Sequence, residues 1–95
     1  NPDAAAKIHV YFMPGLAASP DIFEYIKLPP TKFEMHYLDW FVPDPGTSLR
    51  EYARRMAESV TSPNPVLVGV SFGGMLVQEM AAYLNPRKVI IISSI

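Results

Sequence analysis

One five-residue segment constrains what this chain can fold into: Gly69-Val70-Ser71-Phe72-Gly73. It lies between the apolar residues 65–68, which are typical of a buried strand, and a helical pattern that begins near Gly74. A strand and a helix joined so closely bring their backbones together, so small residues are needed on both sides of the turn. We therefore expect a tight strand-to-helix turn with strained backbone geometry at Ser71.

Composition narrows the classes of protein that can hold this turn. Ninety-five residues with 49% hydrophobic and 18% charged side chains suit one globular domain. The net charge of −1 favours neither a nucleic-acid nor a membrane partner. The chain has no cysteine, which excludes a disulfide scaffold, a thiolate metal site and a cysteine nucleophile, and a cytoplasmic location is expected. Residues 1–6 are expected to form a flexible leader.

Strand and helix patterns alternate along the chain. Four β-branched, aromatic or continuously apolar runs are predicted to be strands: residues 7–13, 33–38, 66–70 and 89–92. Helices are predicted in between: from Pro20, from the capping box that starts at Ser48, and from Gly73 or Gly74 to Leu84. This order favours an α/β fold, with a four-stranded, mostly parallel sheet in three layers and helices on both faces.

A family resemblance rests on four features: the Pro14-Gly15-Leu16 loop after the first strand, the helix that starts at Ser48, the turn at Ser71, and the last strand, which leads into Ser93-Ser94. Together they resemble the first part of an α/β-hydrolase, in which such a turn is the nucleophile elbow. The resemblance extends over essentially the whole chain, so residues 1–95 would be a single, incomplete α/β-hydrolase domain. It implies the strand order second-first-third-fourth, with a site where the loops after the first and third strands meet.

The resemblance also implies a chemistry, that of a serine hydrolase acting on an ester or related acyl substrate. Ser71 would be the catalytic nucleophile, and the N–H groups of Phe72 and Leu16 would form the oxyanion hole, with Ala17 as the second choice for the latter. The family commonly has His-Gly where this chain has Pro14-Gly15. Proline at position 14 does not remove the backbone N–H of Leu16, so this predicted donor is retained.

Two further sets of residues belong to this predicted site. Trp40 and Phe41 follow the second strand at the same end of the sheet and could line an acyl pocket, although core packing explains them equally well. The elbow glycines are Gly69, Gly73 and Gly74. No cofactor and no metal site are predicted.

The predicted nucleophile has no base in the sequence. In the family the acid and the histidine follow the serine, but the only histidines here, His9 and His36, precede it and lie within predicted strands. We expect both to be structural or surface residues. The chain would then be the amino-terminal half of a longer hydrolase, inactive alone. A glycine-rich turn without chemistry, and a phosphate-binding loop whose spacing fits neither common motif, are the other interpretations of the segment.

The fourth predicted strand suggests a partner. This strand, from Val89 to Ile92, would be an apolar edge of the sheet with nothing predicted beyond it. Native proteins avoid such exposed apolar edges. We expect a second copy or a complementing chain to cover this edge. It also gives the alternative function: a non-catalytic α/β module that self-associates through the edge.

Overall fold

The computed structural model describes residues 7–16 and 18–93, and within them four β-strands form one sheet. The strands are β1 (Ile8–Met13), β2 (Phe33–Tyr37), β3 (Val66–Val70) and β4 (Lys88–Ile92). Their order is β2-β1-β3-β4, and every neighbouring pair is parallel. The α/β class and the predicted strand order are thus confirmed. The expected leader, residues 1–6, and Ala17 lie outside the described residues.

Two α-helices pack against this sheet, α1 (Leu49–Ala57) and α2 (Phe72–Met80). The predicted capping box starts α1, since the Ser48 hydroxyl accepts a hydrogen bond from the Glu51 N–H at 3.1 Å. The α-helical part of α2 ends four residues earlier than the predicted Leu84, because the chain tightens into a 3₁₀ helix at Ala81–Tyr83. None of the described helices is long and apolar enough to cross a membrane.

The helix predicted from Pro20 is instead a short 3₁₀ helix, Pro20–Phe23. Its start matches the prediction, because the Ser19 hydroxyl caps it and Pro20 follows. It does not propagate, since the Glu24 and Ile26 N–H groups bond to the carbonyls three residues before them. Within this 3₁₀ helix only Phe23 is buried, which leaves little packing to offset the cost of starting a helix.

The sheet has a core on each face. On one face, α1 and α2 bury Met56, Leu76 and Met80 against Met13 and Leu67 of the sheet. The opposite face packs around Phe23, the one fully buried side chain of the 3₁₀ helix, with these strand residues: Val10, Phe12, Val66 and Val68. Among the described residues that second face is covered by the short 3₁₀ helix and by Ile26 and Leu28 after it, without an α-helix, so the three-layer arrangement stays a prediction.

Candidate active site

The turn between β3 and α2 consists of one residue, Ser71, in an unusual backbone conformation. Its φ of 56° and ψ of −122° lie in a region that residues with a side chain rarely adopt. Two hydrogen bonds of 2.8 Å hold it there: the Ser71 N–H donates to the Ile92 carbonyl, and the Gly74 N–H donates to the Ser71 carbonyl. The serine is exposed. The fold thus presents this side chain to solvent from a strained turn.

The three elbow glycines lie where neighbouring atoms leave no room for a side chain: backbone atoms at Gly69 and Gly73, and the side chain of Ile91 at Gly74. A Cβ atom built on Gly69 would lie 2.7 Å from the Gly74 Cα, and one on Gly73 would lie 2.7 Å from the Met13 carbonyl oxygen. A Cβ atom on Gly74 would lie 2.6 Å from Cγ2 of Ile91. All are shorter than van der Waals contact, so the packing of α2 against β1, β3 and β4 requires these glycines.

The loop after β1 lies beside the elbow. A Cβ atom on Gly15 would be 3.8 Å from the Ser71 Cβ. The indole Nε1 of Trp40 donates to the Gly15 carbonyl at 2.7 Å, and the Ala18 N–H donates to the same oxygen at 2.9 Å. Because the peptide is trans, the N–H of Leu16 points the opposite way from that carbonyl. Trp40 therefore fixes the orientation of one predicted oxyanion donor.

The second predicted donor, Phe72, is the first residue of α2. The first N–H groups of a helix have no partner within it, and the helix dipole makes this end positive. The side chain of Phe72 packs on Trp40, with ring centroids 5.9 Å apart. Trp40 therefore contacts both segments that carry the predicted donors. The alternative donor, Ala17, lies outside the described residues.

An aromatic cleft of about 600 Å³ opens next to Phe72, the neighbour of Ser71 in the chain. Trp40 and Phe41, the predicted pocket residues, are both in its wall, together with Leu16. Trp40 also packs on Tyr52, with ring centroids 5.6 Å apart. The cleft is thus built by the segment after β2, the loop after β1 and the start of the two helices.

Tyr52 is a buried residue of α1 that also lines the cleft, and sequence reasoning gave it no role at the site. The Tyr52 hydroxyl donates to the Phe41 carbonyl at 2.6 Å and accepts from the Phe41 N–H at 2.7 Å. The rings of Tyr52 and Phe41 stack with their centroids 3.9 Å apart, and the Arg55 guanidinium lies over the Phe41 ring, 4.8 Å from its centroid. Burial raises the pKa of Tyr52. The one available signal was that a buried tyrosine needs a partner for its hydroxyl.

Neither histidine is brought to the elbow. His9 and His36 lie inside β1 and β2, and His9 precedes Met13 at the carboxyl end of β1 by four residues, about 13 Å of strand. The structure places them together instead. His9 Nδ1 is 2.8 Å from His36 Nε2, and Glu34 Oε2 lies 3.5 Å from the first nitrogen and 3.2 Å from the second.

This His9–Glu34–His36 cluster could hold a metal ion, although the sequence predicts no metal site. One donor atom from each residue lies within 4.8 Å of the others. The pKa of His36 is lowered, mainly by burial and further by His9, while Glu34 opposes the shift. A lowered pKa favours the neutral imidazole, which is the form that binds metals. The Glu-x-His pattern at 34–36 could have signalled the pair on β2, but nothing local links it to His9.

The chain matches no protein-family model, no curated protein and no solved structure with which it was compared.

Proposed function

We propose that this chain carries the nucleophile and the oxyanion hole of an α/β-hydrolase that acts on an ester or related acyl substrate. The observation that carries the proposal is the backbone of Ser71, which is held at a φ of 56° and a ψ of −122° between a parallel strand and a helix start. A strained turn of this kind is a feature of nucleophile elbows. The adjoining Gly15–Leu16 loop and aromatic cleft support the same proposal.

In the proposed reaction, the Ser71 Oγ attacks the carbonyl carbon of the substrate and its proton passes to a base. The carbonyl oxygen becomes an oxyanion, which the N–H groups of Phe72 and Leu16 stabilise. Collapse of this intermediate expels the alcohol, protonated by the same base, and leaves an acyl group on Ser71. Water then releases the acid. The cleft wall of Trp40 and Phe41 would hold the apolar part of the acyl group.

The base in this scheme comes from outside the ninety-five residues. Both histidines of the chain belong to the His9–Glu34–His36 cluster: His9 lies near the start of β1, and His36 lies on β2, which β1 separates from the strand that leads into Ser71. We therefore propose that the chain is the amino-terminal half of the hydrolase. Alone it should have no meaningful turnover, because only oxyanion stabilisation and binding remain.

Two cysteine variants test whether the turn at Ser71 stabilises an oxyanion, and they do so without the missing base. The chain has no cysteine, so Ser71→Cys introduces a single thiol, whose thiolate is nucleophilic unaided. The control is Ser59→Cys, another exposed serine, in the turn after α1 and outside the wall of the cleft. After titration of each thiol, the rate of acylation by p-nitrophenyl acetate is compared per thiolate, which removes the difference in thiol pKa.

We expect Ser71→Cys to release about one equivalent of p-nitrophenolate without turnover, at least ~10-fold faster per thiolate than Ser59→Cys. The reason is that one good oxyanion donor typically accelerates acyl transfer by a factor of about 10²–10³. Equal rates per thiolate would exclude a working oxyanion hole and overturn the proposal. Sustained turnover by the natural chain that disappears in Ser71→Ala would instead show that no external base is needed.

A second candidate function, self-association of a non-catalytic module, is supported by a different observation. β4 is an edge strand, and its Ile90, Ile91 and Ile92 side chains are 38–45% exposed. A second copy that pairs along this strand would bury them. Light scattering should then give a dimer that Ile90→Lys converts to a monomer. A natural chain that stays monomeric at high concentration would remove this candidate.

A further inference from the structure

We propose that His9, Glu34 and His36 form a binding site for a divalent transition-metal ion, with Zn²⁺ as the ion that the geometry fits best. The site is independent of the proposed hydrolase chemistry. His9 is the second residue of β1, and Glu34 and His36 are the second and fourth residues of β2, whereas Ser71 follows β3, which β1 separates from β2.

The register of the sheet brings the three side chains together. His9 lies directly opposite Glu34 across the parallel β1–β2 pair, and Tyr11 lies opposite His36. Side chains two residues apart on a strand point to the same face, so Glu34 and His36 lie on the same face as His9. The three ligands therefore converge because of the strand pairing, and each is attached to a hydrogen-bonded strand rather than to a loop.

The spacing of the donor atoms is close to that of a tetrahedral zinc site. Zinc lies about 2.0–2.1 Å from imidazole nitrogen, which places two ligand atoms of a tetrahedron about 3.3 Å apart. Here the three separations are 2.8, 3.2 and 3.5 Å. Only the distance between the two nitrogens must increase, and rotation of one imidazole ring supplies that change. In the absence of metal, one nitrogen carries the proton that bonds it to the other.

The ligand types and their exposure favour an open site. Two imidazoles and one carboxylate are a common zinc ligand set with three protein donors, and they leave a fourth position for water. The side chains of His9, His36 and Glu34 are 28%, 30% and 51% exposed, so an ion and its water have access from solvent. Magnesium and calcium prefer all-oxygen sites, so the two imidazoles select a first-row transition metal.

A neighbouring contact orients one ligand. The ring of Tyr11 stacks on that of His36, with centroids 4.3 Å apart and planes 10° apart. The Tyr11 hydroxyl is itself held by Ser62 Oγ at 2.9 Å. His36 is thus fixed by a buried tyrosine from β1, as metal-binding histidines are commonly fixed by the groups around them.

Titration of the full chain, free of any purification tag and stripped with a chelator, tests the site. We expect calorimetry with ZnCl₂ to give one ion per chain. Zinc should raise the Tm by about 10–20 °C at a free concentration 100 times the Kd, because an ion that binds only the folded state stabilises it. Co²⁺ at the same site should give the intense visible absorption of a tetrahedral complex. If the heat does not saturate and the Tm does not change, the proposal is wrong.

Three variants assign the ligands. His9→Phe and His36→Phe keep an aromatic ring on each strand, and Glu34→Gln keeps the shape of an exposed side chain while removing its charge. Each should weaken zinc binding at least ~100-fold. Even the loss of a residue that only hydrogen-bonds to a metal ligand typically lowers metal affinity by about 10–100-fold. Glu24→Gln, an exposed carboxylate at the end of the 3₁₀ helix, is the control and should bind as the natural chain does.

Circular dichroism establishes that each variant is folded before its affinity is compared. If either phenylalanine variant fails to fold, Glu34→Gln and the Co²⁺ spectrum of the natural chain still decide the question. Undiminished binding in a folded His36→Phe or Glu34→Gln variant would overturn the assignment, since the ion would then lie elsewhere.

Discussion

At the scale of single residues, Ser71 carries a cost that its surroundings must offset. A residue with a side chain at a φ of 56° and a ψ of −122° is strained by about 1–3 kcal/mol. The hydrogen bonds from Ser71 to Ile92 and from Gly74 to Ser71 hold the turn in place. Glycine adopts such angles without steric cost. The strain can therefore be measured by removing the side chain.

We predict that Ser71→Gly raises the free energy of unfolding by about 1 kcal/mol, since the relief of strain exceeds the 0.5–1 kcal/mol entropic cost of a glycine. Urea unfolding measures the change. Ser59→Gly is the control, because Ser59 is an exposed turn residue without a positive φ, and it should lower stability by the entropic cost alone. An equal loss in both variants would mean that Ser71 stores no strain.

At the scale of elements, Trp40 joins three parts of the fold. It follows β2, its Nε1 donates to the Pro14 and Gly15 carbonyls after β1 at 3.2 and 2.7 Å, and its ring packs on Phe72 at the start of α2. The aromatic ring and the N–H donor can be separated experimentally. Phenylalanine keeps a ring in the cleft but leaves the two carbonyls without this donor.

We predict that Trp40→Phe lowers the free energy of unfolding by about 1–2 kcal/mol. Combined with Ser71→Cys it should also slow acylation ~10-fold, because the Leu16 N–H loses its fixed orientation. Urea unfolding and p-nitrophenolate release are the two measurements. Tyr37→Phe, which removes an exposed hydroxyl at the end of β2, is the matched control. A stability loss without slower acylation would make the tryptophan a packing residue only.

At the scale of the whole molecule, the sequence predicts the features that local patterns encode. Runs of β-branched, aromatic or apolar residues predicted the four strands, and the G-x-S-x-G spacing predicted the strained turn at Ser71. The helix predicted from Pro20 was wrong because its start signals are local, whereas its continuation depends on what it could bury.

The contacts that build the two candidate sites could not be predicted in the same way. The Trp40–Gly15 hydrogen bond joins residues 25 apart, and the His9–His36 contact joins residues 27 apart. Both depend on the register of β1 and β2, which no pattern within either strand specifies. Half-buried histidines in a strand give no sign of their partners until that register is known.

The last prediction concerns the stability of the whole molecule at alkaline pH, through Tyr52. Burial raises the pKa of its hydroxyl above the ordinary 10.0, with a further small increase from Asp39, while the Phe41 backbone and Arg55 oppose the shift. A raised pKa in the folded state means that the unfolded chain releases this proton first as the pH rises. The stability associated with the protonated hydroxyl is therefore complete below pH 10.0 and is lost as the pH rises through the folded-state pKa.

We expect the free energy of unfolding of the natural chain to fall more steeply above about pH 10 than that of Tyr52→Phe, which has no proton to lose there. At neutral pH the variant should be less stable by about 1–3 kcal/mol, because the Phe41 carbonyl and N–H both lose their partner. The two urea-unfolding curves should therefore converge as the pH rises. If they stay parallel, the pKa of Tyr52 is the same in the folded and unfolded chain, and Tyr52 is not the group that couples the cleft to alkaline unfolding.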